Sequence, residues 1–208
     1  LSQMRDICAS VKVHYDKDFD IEKIPIDDVK TMELFQTGQT DDVFQFSSKG
    51  MQKNLQKLHP TCFEDLVILN CMYRPGPMEY ISTLVRQKHS KKAVKYIIPC
   101  MEKYLHNTYG IIVYQEQIMM LSRLIANFDR SESDLLRKAL GKRKMDVLSV
   151  LKPRFIEGGI KNGHKKNALE KVWNEMEHKG MYAFNKSHAV CYTWLAYQIA
   201  YLKANYPD

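Results

Sequence analysis

Apolar residues recur along this chain at helical spacing. Ile118, Leu121, Ile125 and Phe128 stand at i, i+3, i+7 and i+10, and Leu169, Val172, Trp173 and Met176 form a second stripe with Gly180 as its stop. Met51, Leu55 and Leu58 predict a third helix. Phe63, Leu66, Val67 and Met72 predict a fourth, ended by Arg74-Pro75-Gly76-Pro77. The apolar run from Ala189 to Leu202 is short for a membrane span and carries Tyr192, Thr193, Tyr197, Gln198 and Tyr201, so it predicts a buried core helix.

Strand patterns are few. Val43-Phe-Gln-Phe46 and Ile111-Ile-Val-Tyr114 predict very short strands, the second running into a helix that starts near Gln115. Ser131 with Asp134 three residues later reads as a capping box, and Pro153 is expected to kink or restart the helix between Met145 and Ile160. The fold class that follows is mainly α, a multi-helix body with one or two very short strands. Asp16 to Pro25 is charged and ends in proline, which predicts a linker. It would separate a helical segment and linker, residues 1–24, from a larger helical body, residues 25–208.

Composition narrows the chemistry. At 208 residues, 45% hydrophobic and 26% charged, the chain can bury a core and is not disordered. Lys and Arg outnumber Asp and Glu by 31 to 24, and the net charge of +7 favours an anionic partner without naming one. The five cysteines are odd in number and none forms Cys-x-x-Cys, which reads as reduced thiols in a cytoplasmic protein. Asp16, Asp18 and Asp20 alternate, but a calcium loop would need glycine where Ile21 stands and glutamate where Asp27 stands. Gly141-Lys142 is not a phosphate loop, because Leu136 stands where the first glycine is required. Histidines and cysteines are not at metal spacing, so no metal site is expected in this chain.

The most informative stretch is Ser131 to Lys144, with five cations: Arg137, Lys138, Lys142, Arg143 and Lys144. On a helical wheel Leu135, Leu136, Ala139 and Leu140 share one arc and Arg137 and Lys138 another. Such a helix can bury its leucines and still present cations to phosphate, although a solvated basic face has the same pattern. Two other segments carry candidate chemistry. Arg74 sits on a stiff Pro-Gly-Pro turn. Phe184-Asn-Lys-Ser-His188 opens the long apolar helix, where Asn185 or Ser187 can cap and Lys186 with the helix dipole would suit an anion.

Taken in order, several phrases resemble one family. They are Val43-Phe-Gln-Phe-Ser-Ser-Lys-Gly-Met51, Thr61-Cys-Phe-Glu-Asp-Leu66, Tyr73-Arg-Pro-Gly-Pro77, Arg86-Gln-Lys-His89, Tyr109-Gly-Ile-Ile-Val-Tyr-Gln-Glu-Gln117, Leu136-Arg-Lys-Ala-Leu-Gly-Lys142, Phe184-Asn-Lys-Ser-His188, and Tyr197-Gln198 with Leu202-Lys-Ala-Asn-Tyr-Pro207. The chain resembles the bacterial DNA polymerase III alpha subunit, a C-family replicative polymerase, and within it the fingers domain with a short helix leading from the palm. The resemblance implies a DNA-directed DNA polymerase as the full-length protein. It also implies catalytic aspartates and Mg2+ in the palm, outside these residues, so no catalytic residue is expected here and the piece alone should be inactive.

By the same resemblance, Arg137, Lys138 and Lys142 would bind the incoming dNTP. Arg143, Lys144 and Lys186 would meet DNA or phosphate. Arg74, Gln115, Glu116, Asn185, Ser187 and His188 would contact ligand or brace the site. Implied partners are primer-template DNA, dNTP and other subunits of the replicative holoenzyme, including the sliding clamp through regions outside this chain, with no membrane and a cytoplasmic location. Two positions depart from the family pattern. Lys138 replaces a frequent arginine, losing the planar fork, and Ser47 replaces a glutamate. The alternative is a non-catalytic helical nucleic-acid-binding module using the same cations.

Overall fold

The computed structural model describes residues 2–207. Among them are eleven α-helices: α1 (Ser2–His14), α2 (Val29–Thr37), α3 (Lys49–Leu58), α4 (Phe63–Met72), α5 (Ile81–Lys88), α6 (Glu102–Leu105), α7 (Gln115–Ala126), α8 (Arg130–Gly141), α9 (Met145–Lys161), α10 (Lys166–Gly180) and α11 (Lys186–Asn205). The chain divides into two compact units, Leu1–Asn70 with Ala189–Asp208, and Cys71–His188. The mainly α expectation holds. No described helix is long and apolar enough to cross a membrane.

The first unit is organised by caps and aromatic packing. Asp28 opens α2 by accepting from the Thr31 backbone N–H at 2.8 Å, and Gly38 closes it at φ 71°, a conformation that glycine adopts without Cβ strain. Phe35 meets Phe46 edge-on at 5.3 Å and stacks with Tyr197 at 6.3 Å, all three fully buried. The Tyr197 hydroxyl donates to the Pro25 carbonyl and accepts from the Asp28 backbone N–H, each at 3.0 Å. Residues 16–25 hold local structure. Asp16 accepts from Asp18 N–H, Asp20 caps a 3-10 turn over Ile21–Lys23, and Phe19 is buried.

The strand expected at Val43–Phe46 is absent. Asp42 and Gln45 have positive φ (64° and 61°), and successive turn bonds run from Val43 N–H to Thr40 O and from Phe46 N–H to Val43 O. Val43 and Phe46 are therefore buried three residues apart, as turns place them, rather than alternating as a strand would.

The second unit is a packed group of helices. The predicted stripes of α7 and α10 are its core: Ile118, Leu121, Ile125, Leu169, Val172, Trp173 and Met176 are fully buried. Phe155 of α9 meets Trp173 at 5.5 Å and Phe128 at 6.0 Å. Gly158 lets α9 lie close to the end of α7, since a Cβ there would come within 2.1 Å of the Ala126 carbonyl oxygen. Pro153 neither breaks nor restarts α9, which runs through it. One backbone bond is forgone, and Leu148, Leu151 and Phe155 on either side are buried in the same core, which holds the helix through the proline. The second expected strand reduces to one isolated parallel bridge, Tyr114 to Phe184, and no sheet forms among the described residues.

Candidate functional site

All the geometry that follows lies in the second unit. Helix α8 starts two residues earlier than Ser131 suggests. Asp129 is its N-cap: Asp129 Oδ1 accepts from Glu132 N–H at 2.7 Å, and Glu132 Oε2 accepts from Asp129 N–H at 2.9 Å, a reciprocal capping box. Leu136, Ala139 and Leu140 are buried, as is Ser133. Leu135 is 45% exposed and does not join the apolar arc, because it stands about 90° from the centre of the buried residues on the wheel. On that wheel Asp134 falls between Arg137 and Lys138, on the polar face.

Both cations close on this carboxylate. Arg137 donates to Asp134 Oδ1 from Nε at 2.9 Å and from an Nη nitrogen at 2.7 Å, and Lys138 Nζ lies 2.7 Å from Oδ2. The Lys138 and Arg137 bonds, in that order, hold the Asp134 carboxyl below its usual range. The other Arg137 Nη donates to Gln115 Oε1 at 3.3 Å. Gln115 is the first residue of α7 and is fixed there by its backbone N–H, which donates to Phe184 O at 2.9 Å. Beneath it, the buried Gln117 is fully engaged. Its Oε1 accepts from Val113 and Tyr114 N–H, and its Nε2 donates to Tyr104 O and Thr108 Oγ1.

The same corner carries the start of α11. Asn185 is the cap, accepting from His188 N–H at 2.8 Å. An anion already sits at this helix N-terminus: the Glu116 carboxylate accepts from Lys186 N–H at 3.1 and 3.2 Å and from Asn185 Nδ2 at 3.1 Å. Lys186 Nζ lies over the Tyr114 ring at 5.0 Å, and the His188 ring packs on Phe184 at 5.4 Å. Ser187 is exposed. Arg74 lies over Phe184, 4.8 Å from its centroid, and donates to the Cys71 and Tyr182 carbonyl oxygens. Burial pulls its guanidinium below the ordinary arginine value.

One set of contacts therefore links Lys138, Asp134, Arg137 and Gln115, and a neighbouring set links Glu116, Asn185, Lys186 and His188, with Arg74 over the Phe184 ring. Lys142, Arg143 and Lys144 are not in these contacts. They form the turn after α8, where Arg143 takes positive φ (51°) and donates to Met181 Sδ at 3.3 Å beside a cleft of about 280 Å3. Lys142 and Lys144 make no ion pair among the described residues and are exposed. Asp134 is the residue of this candidate site that sequence reasoning missed. Its spacing of three and four residues to the two cations is the signal, and reading it as a cap partner concealed that.

Comparison with known proteins supplies the family. A model of the bacterial DNA polymerase III alpha subunit finger domain matches residues 1–163. The chain belongs to this finger-domain family. It is 40% identical over 209 residues to the DNA polymerase III subunit alpha of Aquifex aeolicus, covering all of this chain and 18% of that protein. It is 41% identical to that of Halalkalibacterium halodurans, again over the whole chain and 19% of the relative. Against that of Borreliella burgdorferi it is 44% identical over 92% of the chain and 17% of the relative. The finger-domain chain thus spans less than a fifth of the length of these relatives.

Proposed function

We propose that this fingers segment grips the triphosphate of the incoming deoxynucleotide in a full-length DNA polymerase, with Arg137 first and Lys138 second, and Lys142 joining them. Support comes from the polar face of α8. Two cations are held ready on a carboxylate and a carboxamide, all side chains, above a buried apolar face. A phosphate oxygen can take the place of Asp134 as acceptor without disturbing any backbone bond. Charge moving onto pyrophosphate as the nucleotidyl bond forms would then be met by preoriented donors.

In this reading Gln115 fixes the orientation of the guanidinium. Glu116 and Asn185 hold the first turn of α11, at Lys186, beside the start of α7, which keeps Lys186 at the site. Arg74, Ser187 and His188 flank it. Arg143, Lys144 and Lys186 meet DNA phosphates, and residues 1–24 lead in from the palm. The magnesium ions that activate the primer hydroxyl and steady pyrophosphate belong to palm residues outside this chain, and no group of three His, Cys, Asp or Glu among the described residues fits a metal ion. The whole enzyme works in the cytoplasm on primer-template DNA with its clamp.

The test is Arg137→Ala in the full-length polymerase. A charge-assisted hydrogen bond is worth roughly 1.5–3 kcal/mol, so kcat/KM for the deoxynucleotide should fall on the order of ten- to a hundredfold. Unchanged kcat and KM would remove the role.

A further inference from the structure

The chain's cations are unevenly spent. From Tyr80 to Met101 there is no Asp or Glu, yet Arg86, Lys88, Lys91, Lys92 and Lys95 stand there with His89. Arg86, Lys91, Lys92 and Lys95 are exposed, and their side chains have no ion pair or hydrogen bond among the described residues. Elsewhere in the same unit Arg137, Lys138, Arg154, Lys161 and Lys179 are all paired with carboxylates.

This stretch is also fastened down. Ile81 and Leu84 of α5 are buried at one end, and Ile98 and Met101 at the other. After α5 ends at Lys88 the backbone is without helix as far as Ile98, and burial alternates: Val94 and Tyr96 are partly covered and Ile98 is buried, while Ala93, Lys95 and Ile97 face solvent. Val94 packs on Gly110, where a Cβ would come within 2.6 Å of it, and Lys88 lies over the Tyr109 ring at 5.6 Å. Serine and backbone bonds tie the corner, Ser90 N–H to Gln87 O and Lys92 N–H to Ser90 Oγ. The period of two obliges Lys95 to point outward.

We propose that Arg86, Lys91, Lys92 and Lys95 form a binding surface for the phosphate backbone of nucleic acid, separate from the Arg137 site. Lysine is depleted where proteins bind one another, and the exposed residues here offer few apolar anchors, which argues against an acidic protein partner. Unpaired, sequence-indifferent point charges on a fixed ledge suit phosphates, whose neutralisation releases counterions. The proposal rests on the parent being a DNA-binding polymerase and does not depend on the Arg137 assignment.

The experiment measures binding of the full-length polymerase to a primer-template duplex and to a single-stranded oligonucleotide across a salt series. Wild type is compared with Lys91→Gln/Lys92→Gln/Lys95→Gln and with the charge-retaining Lys→Arg triple variant. Each lost contact should reduce the steepness of log K against log salt by about 0.9 on duplex or about 0.7 on single strand. The Gln triple variant should therefore lose about two to three on the arm that uses this surface, and the Arg triple variant should keep the wild-type slope. Single variants, Lys91→Gln and Lys95→Gln, carry the same reading should the triple variant fold poorly.

Unchanged slopes on both arms overturn the proposal. So does an Arg variant that loses slope equally, or loss of an acidic protein partner with both DNA slopes intact. Arg137→Ala measured alongside, with deoxynucleotide KM as readout, separates failure of the triphosphate reading from failure of this one. A wild-type enzyme that binds neither nucleic acid would instead remove the polymerase reading beneath both.

Discussion

Helix α8 carries two carboxylates two residues apart, and each faces an arginine, but the two arginines are held in different ways. Arg154 of α9 donates to both Glu132 oxygens, at 3.0 and 3.2 Å, and also to the backbone carbonyls of Ala126 and Asn127, at 3.2 and 3.3 Å, while its guanidinium lies over the Phe128 ring at 5.3 Å. Arg137 donates only to side chains, Asp134 and Gln115. The first arrangement satisfies the carbonyls at the C-terminus of α7 and so belongs to the fold. The second can exchange one anion for another at no cost to the backbone. A cation's partners, more than its exposure, tell a brace from a ligand contact, and by this criterion the carbonyl-bound Arg74 has the bonding of a brace.

The largest expected effect breaks the Arg154 side of this pair. Arg154→Ala takes the donor from two helix-end carbonyls and the cation from Glu132, a loss of about 2–3 kcal/mol. Thermal unfolding should record a fall of roughly 5–10 °C for a chain of this size. Arg137→Ala should move the same transition less, because its bonds go to side chains alone and leave no backbone carbonyl without a donor, while it cuts nucleotide use as described above. If Arg137→Ala unfolds the protein as readily as Arg154→Ala, the distinction between brace and contact is wrong.

How much of this was legible in the sequence depends on distance along the chain. The stripes of α7 and α10 and the stop at Gly180 were readable, since helical burial is a local pattern. The start of α8 was misplaced by two residues because Ser131-x-x-Asp134 and Asp129-x-x-Glu132 both have capping spacing, and only the second satisfies both backbone donors. Val43-Phe-Gln-Phe46 has strand-forming composition, and nothing in it announces positive φ at Gln45. At the site, the shared face of Arg137 and Lys138 was plain. The seating of Glu116 on the N-terminus of α11 was not, since Lys186 lies seventy residues further on and only packing brings them together. The Glu132–Arg154 pair is hidden for the same reason.

A smaller effect sharpens the other side. Asp134→Asn removes the negative charge that a triphosphate must displace but also the acceptor that orients Arg137. Polyphosphate binding should tighten two- to fivefold, as for an exposed ion pair, while kcat falls by a similar factor. Asp134→Glu, which keeps the charge, should restore most of kcat. Equal kcat and KM in wild type and Asp134→Asn would take Asp134 out of the site.

The smallest effect is in pH. Asp134's carboxyl is held below its usual range by Lys138 and Arg137, so its proton binds more weakly in the folded chain than in the unfolded one. The contribution of this pairing is therefore fully present above the ordinary carboxylate value, about 3.9, and is lost only as pH falls through the lower folded value. Between neutrality and pH 5 the triad stays paired, so Asp134 adds no pH dependence to nucleotide binding there. A carboxyl-resolved NMR titration should place its midpoint below that of an unpaired aspartate. In Arg137→Ala the midpoint should move part of the way back, because Lys138 remains. A midpoint at or above the ordinary value would mean that the two cations are not held by Asp134 in solution, and Arg137 would then resemble Arg154 in nothing but its charge.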